Sequence, residues 1–267
     1  MPPGVCFVYG IADLFAASMH PFCYIQPMQI FSVTLWLYAT ALKHSAECVR
    51  RNLIVSFAPL AYSLALSVAG MVAAPLGIIG GFVLGLAMQA CASSGLFLIK
   101  NMVESGKTDV NDFLKGFTVF IWELITISFI LWIPLRVAGL ALAGVPNGGV
   151  IYFCIQIALY ILLNPVPEFI YQTRTSGLEL LSASYNFIVD NWIEWLLPNI
   201  VLGIAGYWLL NMLGSLLDGV PVFLQFFFHS FALGLCLTYI MTFRGFLFVE
   251  LNGSTRRSRL YRYKARH

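Results

Sequence analysis

Long apolar runs alternate with short polar breaks along the whole chain, and the runs have the length of about twenty residues that carries a helix across a bilayer's hydrocarbon core. Six runs reach that length, near residues 53–73, 76–99, 117–143, 149–171, 195–216 and 221–247. Three connectors are brief turn signals: Ala73-Ala74-Pro75, Val145-Pro146-Asn147-Gly148-Gly149 and Asp218-Gly219. Two others, 100–115 and 172–194, are longer and polar. The two kinds alternate, as antiparallel hairpins require. The pattern predicts an all-α polytopic transmembrane bundle of about six spans. Residues 30–42 form a further apolar run, but thirteen residues reach only about 20 Å as a helix, which predicts an interfacial or re-entrant helix. Taken as a true span, this run would raise the count to seven and place the N-terminus on the other side. The expected layout is an amphipathic segment over 1–52, a six-span domain over 53–250 and a polybasic tail over 251–267.

Composition narrows the class. Of 267 residues, 60% are hydrophobic and 10% charged, against about 25% charged in an ordinary soluble domain. A water-soluble globule is excluded, and no length is left for a sizeable aqueous domain. Of the 15 basic residues, 14 fall at one end of the predicted bundle, the exception being Arg136 inside the third run. Loops rich in Lys and Arg are retained on the cytoplasmic side, so both termini are expected in the cytoplasm, with the protein in a bacterial-type inner membrane. The first 27 residues carry no Lys or Arg, place Asp13 within their apolar stretch and show no signal-peptide cleavage pattern. The first span is therefore expected to act as its own insertion signal.

An internal repeat is visible at an offset of 139 residues, where Ser45, Asn52 and Pro59 recur as Ser184, Asn191 and Pro198, each set leading from an amphipathic segment into a span. Further on, Gly95-Leu96-Phe97-Leu98-Ile99 with Gly106-Lys107-Thr108 corresponds loosely to Gly245-Phe246-Leu247-Phe248-Val249 with Gly253-Ser254-Thr255. This predicts two parallel units, each an interfacial helix plus a hairpin, separated by spans three and four. The segment Ser45-Ala46-Glu47-Cys48-Val49-Arg50-Arg51-Asn52, the Pro-bearing span after it, and Val110-Asn111-Asp112-Phe113-Leu114-Lys115-Gly116-Phe117 entering span three resemble a group of bacterial six-helix membrane proteins. That group is similar to the membrane module fused to some glycerophosphodiester phosphodiesterases. The resemblance extends over most of residues 40–250 and implies only fold and location, since the phosphodiesterase barrel is missing from this chain.

Catalytic chemistry finds little to attach to. The six cysteines form no C-x-x-C and no C-x-x-C-H, and the four histidines make no pair at helical spacing, so no metal, haem or other cofactor is expected. Ser105-Gly106-Lys107-Thr108 imitates the end of a phosphate-binding loop, but Asn101 stands where its first glycine is required and no strand precedes it. There is no G-x-S-x-G turn for a serine nucleophile. No catalytic residue is assigned.

Three features carry the candidate sites. Gly77, Gly81 and Gly85 recur every four residues in span two, continued by Gln89 and Ser93, a stripe that lets another helix approach closely. It reads as packing within the chain, as an oligomer contact or as the lining of a solute path, with Gln89 facing protein. Ionisable residues inside apolar runs come second: Glu123, Arg136, Glu168 and His229. Because 110–143 is too long for one upright span, it is expected to begin as an interfacial helix, leaving Glu123 at the boundary. Arg136 is expected to anchor structure, reaching towards Asp218. His229 reads as a proton carrier or a hydrogen-bonded packing residue, the latter favoured. Span four ends as Asn164-Pro165-Val166-Pro167-Glu168, either a broken helix marking a solute or partner site or a simple terminus with Glu168 in solvent, the latter favoured. Third, Arg256, Arg257, Arg259, Arg262, Lys264 and Arg266 crowd the C-terminus with two tyrosines, a composition suited to anionic lipid headgroups and not to nucleic acid. The sequon Asn252-Gly253-Ser254 lies on the same side and is expected to stay unglycosylated.

The leading expectation is a non-enzymatic membrane subunit or scaffold that packs on partner helices, of other subunits or of its own kind. A carrier or channel for a small or lipid-like solute, with Gln89, Pro165, Pro167 and Glu168 along its path, is the second. An intramembrane enzyme using Glu123, Glu168 or His229 is the third.

Overall fold

The computed structural model describes residues 27–173 and 175–266; the insertion-signal reading, and Asp13 with it, lies outside the described residues. The protein is an all-α polytopic bundle. Its helices are α1 (Pro27–Arg51), α2 (Ala58–Ala73, entered through the 3-10 turn Leu53–Phe57), α3 (Ile78–Ser105), α4 (Val110–Val119) and α5 (Ile121–Leu142). They continue as α6 (Gly148–Leu162), α7 (Val166–Thr173), α8 (Gly177–Leu216), α9 (Val222–Leu251) and α10 (Arg256–Arg266). Among the described residues six stretches are long and apolar enough to span a membrane: Leu53–Leu76, Ile78–Ser105, Ile121–Leu142, Gly148–Thr173, Gly177–Leu216 and Val222–Leu251. The ambiguous run 30–42 is the middle of α1, a single 25-residue helix that is not among them.

Two compact units are distinguished. The larger, Leu37–Ser254, holds all six spans; in the smaller, the edge of Trp36 meets Tyr263 of α10 with ring centroids 5.9 Å apart.

In the larger unit α3 and α9 form the centre, with 33% and 39% of their apolar windows buried, whereas the spans of α5, α6–α7 and α8 bury only 6%, 11% and 6%. The second half of α1 lies against this centre through Leu37, Ala41, Ser45 and Cys48. These positions at i, i+4, i+8 and i+11 make one helical stripe. Its bonds reach three spans: Tyr38 to the Glu194 carbonyl at 3.1 Å, the Cys48 thiol to the Met102 carbonyl at 3.2 Å and Tyr239 to the Leu42 carbonyl at 3.4 Å.

A single non-helical residue ahead of a hairpin occurs at three places, two of them the positions related by the sequence offset. α1 meets the first span at Asn52 (φ −124°, ψ 39°), α4 meets the third at Phe120 (φ −118°, ψ 13°), and the amphipathic start of α8 meets the fifth at Asn191 (φ −130°, ψ 21°). Each junction is one non-helical residue between a helix with polar positions and a hairpin of two spans. The segment around spans three and four, expected to separate two units, has the same build as those it separates.

Each break is met by a side-chain hydrogen bond. The Asn52 and Asn191 side-chain amides donate to the carbonyls four residues back, Cys48 at 2.8 Å and Phe187 at 3.2 Å. Asn52 donates also to the Gly106 carbonyl at 3.0 Å and accepts from the Thr108 N–H at 2.9 Å, tying the start of the first hairpin to the loop that leaves it. At Phe120 the freed N–H donates to Ser93 Oγ at 2.8 Å, and that hydroxyl donates to the Gly116 carbonyl at 2.6 Å. In α8, Pro198 has no N–H for the Glu194 carbonyl; the Tyr38 hydroxyl takes that place.

Candidate functional site

The break in the fourth span is a true one. Leu163 leaves helical geometry (φ −100°, ψ 10°), and α7 begins again at Val166 with Pro167 in its first turn, where a missing N–H costs nothing. Against the simple-terminus expectation, Glu168 is 0% exposed. A bare carboxylate in that position is prohibitively costly, and its partner is Arg244 of α9. The guanidinium Nε donates to Glu168 Oε1 at 2.7 Å and one terminal nitrogen donates to Oε2 at 2.9 Å. That same nitrogen donates to the Asn164 carbonyl at 2.6 Å. One cation thus neutralises the acid and caps the Asn164 carbonyl at the break.

The surroundings complete the seal. The Trp195 ring lies 5.3 Å under the guanidinium, and its indole N–H donates to Asn164 Oδ1 at 2.9 Å. Ser184 donates to the Leu162 carbonyl at 2.9 Å. Phe169, Phe187 and Phe248 pack edge and face around Trp195 at centroid distances of 4.8 to 6.2 Å. Gln172 donates to the Gly245 carbonyl at 3.0 Å, and a side chain at Gly245 would meet Val103 at 2.6 Å and the Tyr171 hydroxyl at 2.7 Å. Arg244, counted by sequence among the cations at the basic end, is a structural charge inside a span with 13% of its side chain exposed.

The glycine stripe behaves in the opposite way. Gly77 forms the turn before α3 with φ +57°, and a Cβ built on Gly77, Gly81 or Gly85 meets nothing within 4 Å among the described residues. For the three glycines of the stripe, though not for Gln89 and Ser93, packing within the described residues is not found. Gly81 and Gly85 line an open, largely apolar cavity of about 570 Å³ between α3 and α5, with Phe82, Ile125, Phe129 and Trp132 on its walls. Gln89 faces protein at its end, donating to Ser128 at 2.9 Å, and Ser93 is fully buried at the α4 junction. The stripe divides because four residues advance a helix by about 400°, so each step drifts some 40° around the axis. Close approach within the chain falls to glycines outside the stripe. A Cβ at Gly116 would lie 2.8 Å from Ser94 Cα, and side chains at Gly80 and Gly234 would run into the carbonyls of Ala73 and Ser56. On α9 the set Gly234, Thr238, Thr242 and Gly245 is a small-residue face at helical spacing that reading for glycine alone misses.

The remaining candidates are dispersed. Glu123 stands in the first turn of α5, at the boundary where the α4 break places it. It does not share a site with Glu168, both of whose oxygens are taken by Arg244. His229 is exposed on α9, which overturns the packing reading. Arg136 is exposed and, among the described residues, has no carboxylate within 4 Å, so the expected reach to Asp218 is not made. In α10, Arg256, Arg262 and Lys264 are exposed, but Arg259 is 6% exposed and drops out of the headgroup-facing set; the side chains of Arg257 and Arg266 are not described. Among the described residues no cluster of three His, Cys, Asp or Glu side chains is placed to hold a metal. Compared with family models, curated proteins and solved structures, the chain matches none.

Proposed function

We propose that this protein is a non-enzymatic subunit or scaffold of a membrane complex that receives a partner transmembrane helix in the groove between α3 and α5. The observation that carries the reading is the open face at Gly81 and Gly85, within an apolar stretch long enough to span a membrane, where none of the described residues approaches. In lipid, helices associate through close packing of backbones and a few polar contacts. A groove with glycines along one wall and a Gln89–Ser128 pair at its end offers both. The slight burial of the third to fifth spans supports the same reading, since most of their surface is left for lipid or partners. The closure of Glu168 by Arg244 leaves a carrier or an acid–base enzyme without its best-placed carboxylate. In this reading the basic loops and both termini face the cytoplasm of a bacterial-type inner membrane, and the exposed cations of α10 rest on anionic headgroups.

The test is extraction of the tagged full chain into native nanodiscs, with quantitative mass spectrometry of what is retained. A stoichiometric membrane partner, or a second copy, is expected. Gly81→Leu should lower its recovery at least tenfold, whereas Gly203→Leu, at another open glycine on α8, should not. Recovery of the wild-type chain alone, or full retention by Gly81→Leu, would defeat the proposal and make solute flux in liposomes the next assay.

A further inference from the structure

Arg136 has no role in the helix-docking reading, yet it is the one cation placed by sequence away from the basic end. It sits six residues before the end of α5, about 9 Å along the helix axis. Its long side chain spans that depth towards the interface by snorkelling. Its guanidinium lies 5.9 Å from the Trp132 ring centroid and, as described above, meets no carboxylate. It also lines a cavity of about 340 Å³ between α5 and α6, with Leu135, Gly139, Leu142, Gly149 and Tyr152. The Tyr152 ring is held against Gly139, 3.5 Å from where a Cβ would be, and its hydroxyl has no hydrogen-bond partner among the described residues.

Brought to the interface with no carboxylate beside it, the guanidinium has its donors free for a headgroup anion. The cavity provides donors, from Arg136 and Tyr152, beside apolar walls, and none of its lining residues is Asp or Glu. That combination suits a ligand with a phosphate and an alkyl tail. Its lining has no carboxylate for the ammonium of a zwitterionic headgroup. We propose that Arg136, Tyr152 and the cavity between α5 and α6 bind the phosphodiester of an anionic phospholipid in the leaflet farther from the basic loops, with one acyl chain along the apolar wall. The planar guanidinium supplies paired N–H donors to the two non-bridging phosphate oxygens, and the tyrosine hydroxyl donates to one of the same two.

The experiment is native mass spectrometry of the full chain in mild detergent, titrated with phosphatidylglycerol or phosphatidylcholine. The α10 cations are common to wild type and variants, so lipids they hold cancel in the comparison. The wild type should retain one phosphatidylglycerol that Arg136→Gln loses, with affinity at least tenfold lower, and Tyr152→Phe should weaken it severalfold. Gly149→Leu fills the cavity while keeping Arg136, and it should lose the lipid likewise; it decides the matter if Arg136→Gln does not fold. Equal retention by wild type and Gly149→Leu would overturn the site. Equal binding of phosphatidylcholine would overturn the anionic preference, and displacement by millimolar inorganic phosphate would overturn a lipid as the occupant.

Discussion

Glu168 was visible in sequence as an acid inside an apolar run, and Arg244 as a basic residue near the end of another; nothing in either run pairs them across 76 positions. Packing of α7 on α9 makes the pair, and burial makes it obligatory. Removing one partner strands a charge in a low-dielectric core, a loss of about 3–5 kcal/mol. Arg244→Met should therefore lower the thermal unfolding midpoint in detergent sharply, and Glu168→Leu combined with Arg244→Met should recover much of the loss. A neutral lock behaves this way; a transport site would show its defect in flux with little change in melting. Tyr38→Phe removes the donor that covers the carbonyl freed by Pro198 and should cost about 1 kcal/mol in the same assay. Cys48 gives a pH test. Its thiol donates to the Met102 carbonyl, and burial pushes its pKa above the ordinary thiol value, because the thiolate is the form that burial disfavours. Alkylation of Cys48 in the folded protein should stay slow through pH 8 and quicken only at higher pH, or once the fold is opened by denaturant, as peptide mapping would show.

Glycine spacing marked span two as a packing helix, and span two is indeed central, but the faces that touch are set by rotation around the axis. Gly80 and Gly81 are neighbours in sequence and about 100° apart on the helix: the first abuts the Ala73 carbonyl, the second faces an empty groove. Gly81→Ala and Gly85→Ala should leave the unfolding midpoint unchanged or raise it slightly, since alanine favours helix by up to about 1 kcal/mol each. Gly80→Ala and Gly234→Ala should lower it by 1 kcal/mol or more through overpacking against backbone. The helix junctions tell a related story. Asn52 and Asn191 were legible as a repeated pair because both carry the same side chain for the same task. Phe120 was not, because its freed N–H is satisfied from another helix by Ser93, and no local residue type records the break.

Alternation of short turns with basic connectors makes a six-span order testable without reference to any partner. A membrane-impermeant maleimide should label Lys107→Cys and Gly144→Cys from opposite faces of sealed vesicles, since one lies in the loop after the second span and the other in the turn after the third. Labelling of both from one face would refute the order of spans. The all-α class, six long apolar runs and a helix start close before Glu123 were determined by sequence alone. Each depends on local composition: the transfer of some twenty consecutive side chains into hydrocarbon is a sum over neighbours in the chain, and so is the charge of a loop. The partners of Glu168, the sealing of the broken fourth span, the emptiness beside Gly81 and the isolation of Arg136 were decided only in the tertiary structure. These depend on which face of each helix meets another, and in a chain apolar on almost every face, hydrophobicity does not choose that face. Small differences in side-chain volume, and the need of each buried polar group for a partner, do.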